Sequence, residues 1–178
     1  MQEIIKGHAH LIDALTPLCP DEQSIKHTSD QYGNGYHWFR LDSPHKIREA
    51  ANILKGSRAR LAMISAYTNT DGPEESRELC YHFDVEGVMY NVTVTQNREW
   101  PIVPSITTIF ANADWHEREM MELYNIKVTD HPNPKRLFLD ERLDAGQLST
   151  AIPLSVMMNG ASTKDLWERI LGEKEQNK

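Results

Sequence analysis

Apolar and polar positions divide the first part of the chain into short helices and strands. Ile4, Ile5, His8, Leu11, Ile12 and Leu15 recur at helical spacing and predict an amphipathic first helix that closes before Pro17. Residues 21–34 are polar and read as a loop. Residues 36–41 are aromatic and strand-like. Ser43-Pro44 then opens a helix, with serine at the cap and proline at the first position. Its apolar stripe is Ile47, Ala50, Ala51 and Leu54, and Gly56 suits its stop.

Three strands follow. Residues 60–67 and 78–84 flank a turn-rich segment holding Asp71-Gly72-Pro73. A second turn at Glu86-Gly87 leads into Val88, Tyr90, Val92 and Val94, whose strict alternation is the cleanest strand signal in the chain. A further helix is expected to begin at Asp114, with that carboxylate as cap and Glu117 as its capping-box partner. It should end near Tyr124, where Asn125 can take the left-handed conformation of a helix stop. Residues 140–159 show no clear period and are expected to run extended along a surface. Ser162 or Thr163 can cap a last short helix carrying Leu166, Trp167, Ile170 and Leu171. The prediction is an α+β domain over residues 1–140, mainly an antiparallel meander covered by helices, with an extended tail over residues 141–178.

Composition narrows the function. The 178 residues carry 19 basic and 26 acidic side chains, a net charge of -7, which argues against non-specific nucleic-acid binding. No stretch approaches the roughly 20 apolar residues of a membrane-spanning helix. The start, Met1-Gln2-Glu3, lacks the basic and apolar runs of a secretory signal. Cys19 and Cys80 are the two cysteines. They lack the four thiolates usual for an iron–sulfur cluster and the paired spacing of a zinc ribbon.

The informative stretch runs from Pro104 to Leu139. It holds Trp115-His116-Glu117-Arg118-Glu119, then Glu122-Leu123-Tyr124-Asn125, then His131-Pro132-Asn133-Pro134-Lys135-Arg136. On a helix, Arg118 and Glu122 share a face, with Glu119 close by. Taken alone, such a cluster reads as a solvated helix face whose ion pairs are each worth less than about 1 kcal/mol.

The whole pattern, about a fifth of the chain, resembles the signature of the 30-kDa subunit family of complex I, the NADH-quinone oxidoreductase, and of its hydrogenase relatives. Asn125 stands where the family usually has glycine. Met120-Met121 replaces an aromatic residue after the Glu-Arg-Glu triplet. Complex I members continue into a Trp-Pro-Leu-Arg-Lys-Asp-Tyr-like segment, and here only Ile152-Pro153-Leu154 corresponds. That departure tilts the resemblance toward membrane-bound, energy-converting [NiFe] hydrogenases.

The resemblance implies a cytoplasmic-side, peripheral subunit with no cofactor, metal or active site of its own. Its implied partners are a large subunit (nickel–iron in hydrogenases, quinone-site in complex I), a small iron–sulfur subunit and, indirectly, membrane subunits. The implied interface residues are Trp115, Glu117, Arg118, Glu119, Glu122, Tyr124, His131, Pro132, Lys135 and Arg136. Arg118 and the Glu119/Glu122 pair can make charge-assisted bonds across an interface, Lys135 and Arg136 can dock an acidic stretch, and the prolines stiffen the crossing segment. His131 is expected to fix the turn by hydrogen bonding, and Trp167 to anchor the tail over a neighbour.

Competing chemistries fit less well. His116-Glu117 begins an H-E-x-x-H zinc motif, but Met120 occupies the second histidine position. Neither cysteine has a nearby catalytic His/Asp arrangement in the sequence. Gly33-Asn34-Gly35 is a turn without a phosphate-loop helix. A protein-binding module outside respiration is the alternative of a different class, and a free-standing hydrolase ranks last.

Overall fold

Alternation along residues 88–94 places the centre of the sheet. In the computed structural model, which describes residues 8–69, 76–97 and 102–139, Tyr90, Val92 and Val94 are fully buried. They lie on β5 (Val88–Asn97), the middle strand of a five-stranded sheet. β5 pairs antiparallel with β4 (Ser76–Val85) through the Glu86-Gly87 turn, both residues at positive φ. β4 pairs antiparallel with β3 (Arg60–Asn69), which completes the expected meander.

The other side of β5 departs from the expectation. It pairs in parallel with β2 (Gly35–Arg40), and β2 pairs antiparallel with β1 (Ile25–Ser29). The order is β1-β2-β5-β4-β3. β1 lies within the stretch read as a loop. It is an edge strand whose middle residues, Lys26, His27 and Thr28, are exposed, so it carries no apolar alternation to reveal it. A two-stranded parallel pair, β6 (Ile102–Pro104) with β7 (Lys127–Thr129), was likewise silent in the sequence because each strand has only three residues.

Helices close the core. α1 (Ala9–Leu15) buries Leu11 and Leu15 and ends before Pro17, as its spacing predicts. Ser43 caps a single 3-10 turn, Pro44–Lys46, which runs into α2 (Ile47–Gly56) with Ile47, Ala50, Ala51 and Leu54 buried. The left-handed residue after α2 is Arg58, not Gly56, so the glycine stop is corrected. α3 (Ala113–Tyr124) packs on β3 and ends at Asn125, whose φ of 53° and ψ of 36° bear out the helix stop. The expected capping box does not form. Asn112 occupies the cap position, and its side chain donates to the Leu61 carbonyl of β3 instead. Glu117 faces inward. The Asp71-Gly72-Pro73 turn, the C-terminal helix and Trp167 lie outside the described residues.

Histidines seal the β1 end of the core. His27 and His37, register partners, meet Nδ1 to Nδ1 at 2.6 Å, and His8 Nδ1 lies 2.7 Å from the Tyr90 hydroxyl. Burial, then the neighbouring His27 and His8, push the His37 pKa from 6.5 down to about 4. The folded chain therefore refuses a proton that the unfolded chain accepts. Stability from this site is complete above pH 6.5 and is lost toward pH 4 at up to about 1.4 kcal/mol per pH unit. Urea unfolding between pH 7 and 4.5 should show a flatter decline in His37→Phe; an unchanged slope would contradict this origin.

Candidate partner-docking site

α3 has two working sides. Ala113, Glu117 and Met120 turn toward the sheet and are buried. Trp115, Arg118, Glu119 and Glu122 follow one another at helical spacing on the other side, against which the segment after β7 lies.

Glu117 is fully buried, and its carboxylate is surrounded by donors from the loop after β6. Ser105 Oγ donates at 2.6 Å, the Ile106 backbone N–H at 2.7 Å and Thr107 Oγ1 at 2.8 Å. His131 Nε2 stands 3.5 Å from Glu117 and 3.5 Å from Asp114. The His131 ring is oriented from its far side, where Nδ1 accepts the Asn133 N–H at 3.0 Å. With that nitrogen accepting, the ring proton sits on Nε2, which stands near both carboxylates without a hydrogen bond to either. His131 thus fixes the His-Pro-Asn turn, as its place in the pattern implied. Beneath Glu117, burial and then the Glu117 charge hold the Tyr81 phenol above its ordinary pKa.

On the other side, Arg118 and Glu122 grip one strip of backbone. Arg118 donates to the carbonyls of Lys135 at 2.9 Å and Arg136 at 2.6 Å, while Asp114 lies 3.5 Å away. Glu122 is 2% exposed and accepts three consecutive N–H groups, from Leu137 and Phe138 at 3.2 Å and Leu139 at 2.5 Å. Arg136 Nη1 is 3.9 Å from the same carboxylate. A cation takes the carbonyls and an anion takes the amides, so residues 135–139 are held in one register against the helix.

The pattern residues therefore fall into two groups. Glu117, Arg118, Glu122 and His131 are engaged within the chain. Tyr124 is half-buried against the core, with the Arg77 guanidinium 5.9 Å from its ring. Pro132, Pro134 and Lys135 are exposed, and Glu119 and Arg136 are half-buried. Trp115 is 68% exposed and Phe138 60% exposed, both large apolar side chains left facing outward. The sequence missed Ser105 and Thr107. Their signal was two hydroxyls flanking an apolar Ile106 just ahead of a helix with an acidic residue at its fifth position.

Comparisons with known proteins bear on the family and the fold. A family model described as respiratory-chain NADH dehydrogenase, 30 Kd subunit, matches residues 42–163. A NADH-quinone oxidoreductase subunit of Rhodopseudomonas palustris is 35% identical over 132 residues, covering 72% of this chain and 64% of the relative. The chain thus spans just under two thirds of that protein's length. An NAD(P)H-quinone oxidoreductase subunit of a Prochlorococcus marinus strain is 30% identical over 125 residues, covering 64% of this chain and 70% of the relative. Two solved structures share the fold. One belongs to a membrane-bound sulfane sulfur reductase, an archaeal respiratory membrane complex (TM-score 0.56, 19% identity, 90% of this chain and 98% of that one). The other is a trypsin-resistant fragment of Nqo5 (TM-score 0.50, 20% identity, 70% and 97%).

Glu117→Ala strands three donors in a dry site and should destabilise the chain by about 3 kcal/mol or more. Glu117→Gln keeps an acceptor and should cost markedly less. Urea unfolding at neutral pH measures both, and a loss below about 1 kcal/mol for Glu117→Ala would refute the assigned role.

Proposed function

The chain belongs to the family of the respiratory-chain NADH dehydrogenase 30 Kd subunit, and on that premise we propose that it is a non-catalytic, peripheral subunit of a membrane-bound respiratory oxidoreductase. The observation that carries the reading is the Arg118/Glu122 grip. It holds residues 135–139 in place before any partner arrives, and Trp115 and Phe138 remain exposed. Ordering a docking segment in advance lowers the entropic cost of binding, and exposed aromatic residues are the usual anchors of an interface. Among the described residues no helix is long and apolar enough to cross a membrane. On this reading, partner chains hold the subunit on the inner face of the cell membrane.

We read the parent complex as hydrogenase-type. The partner of the α3 face is then a nickel–iron-type large subunit, with a small iron–sulfur subunit beside it and membrane subunits further off. The support is the sequence after Lys135-Arg136, which offers Ile152-Pro153-Leu154 without the Arg-Lys-Asp-Tyr continuation. The second reading is a complex I-type parent with a quinone-site large subunit, favoured by the 35% identity to the Rhodopseudomonas palustris NADH-quinone oxidoreductase chain. Either way, redox cofactors reside in the partners.

Affinity purification of the tagged chain from solubilised membranes tests this. A large oxidoreductase subunit should co-purify, and whether it carries a nickel–iron or a quinone site decides the parent. Arg118→Ala combined with Glu122→Ala should cut that recovery at least tenfold while the isolated chain stays folded. A stable monomer that recovers no such partner would refute the proposal, and global unfolding of the double variant would leave the pair a purely structural role.

A further inference from the structure

On the sheet face away from the core, three side chains form a relay that crosses three strands. His82 of β4 stands opposite Asn91 of β5 and diagonal to Ser65 of β3, whose register partner is Cys80. Asn91 Oδ1 lies 2.7 Å from His82 Nδ1, and Ser65 Oγ lies 2.9 Å from His82 Nε2. Asn91 is 2% exposed, so its amide is held by packing. Its oxygen can only accept, which places the ring proton on Nδ1 and leaves the Nε2 lone pair facing the serine hydroxyl. Ser65 and His82 both line a cavity of about 730 Å³, with Trp38, Tyr67 and Lys26 also in its wall. That volume is within the range of small-molecule sites.

We propose that Ser65 is an activated nucleophile that takes an acyl group from small activated esters entering this cavity, with His82 as its base and Asn91 as the positioning residue. The Ser65 Oγ–carbonyl bond forms as the hydroxyl proton passes to His82 Nε2. The ester C–O bond then breaks, and the leaving alkoxide or phenolate departs with its electron pair and recovers the proton. Cys80 is no competitor. Its Sγ is 3.8 Å from His82 Nδ1, but burial, then Glu78, pushes the thiol up to about 12, so it stays protonated. β4 and β5 are interior strands whose main-chain groups are engaged in the ladder, so they supply no oxyanion hole. The expected reaction is one acylation per chain, not rapid turnover.

The full chain incubated with p-nitrophenyl acetate, then analysed by intact mass and peptide mapping, tests the site. A single acetyl group is expected on Ser65, absent in Ser65→Ala. His82→Gln should slow acetylation about a hundredfold, and Asn91→Leu at least tenfold. Asn91→Asp, which keeps the acceptor oxygen, should remain within a few-fold of the wild-type rate. Circular dichroism shows whether each variant is folded; should one fail to fold, the other His82 or Asn91 variant still decides. Acetylation confined to lysines, or an unchanged rate in a folded His82→Gln or Asn91→Leu, would overturn the proposal.

Discussion

A carboxylate removed from water must be met by donors, and the lower part of this structure is arranged around that requirement at Glu117. Three donors reach it from residues 105–107, and the His131 ring packs 3.5 Å from it from beyond β7. These partners come from both sides of α3 in the sequence, so one side chain ties the β6 end, the helix and the β7 end into a unit. In a dry site the bonds are individually strong, and an unmet one is costly. That is why the small β6–β7 pair, too short to be stable by its own ladder, can hold its place.

With the frame fixed, the opposite side of α3 is free for a different task. Arg118 and Glu122 hold residues 135–139 through five main-chain hydrogen bonds, with the Arg136 guanidinium beside the Glu122 carboxylate as a side-chain contact to that segment, so the hold rests chiefly on the backbone. The consequence is a division of labour along one helix. Glu117 stabilises the fold, and Arg118 and Glu122 on the other side shape a surface by holding residues 135–139. The exposed Trp115 and Phe138 gain their meaning from that arrangement. Large apolar residues on an ordered frame are disposed for binding, whereas the same residues on a loose segment would first have to be ordered.

Much of this was legible in the sequence, and the rest was hidden for physical reasons. Period-two alternation announced β5, and the capping signals around Ser43 and Asn125 marked helix ends, because those are local effects. β1 was missed because an edge strand with an exposed middle needs no alternation. The parallel β2–β5 pairing is a choice made between distant segments, to which no local pattern corresponds. At the site, the Glu-Arg-Glu pattern could be singled out, but a helix wheel cannot say which acid faces inward. Asp114 and Glu117 looked like a capping box; the donors at Ser105, Ile106 and Thr107 outcompete that short-range bond by offering three. The Ser65–His82–Asn91 relay was invisible for a related reason, since its members approach only when three strands align in register.

Hydrogen exchange at the Leu137, Phe138 and Leu139 amides of the full chain is the most direct measurement of the central claim, that Glu122 holds this segment before any partner binds. The account predicts slowed exchange at all three amides in the wild type, lost in Glu122→Ala and kept in Glu119→Ala, with the sheet amides unchanged throughout. Fast exchange at these amides in the wild type, or protection that survives Glu122→Ala, would contradict it.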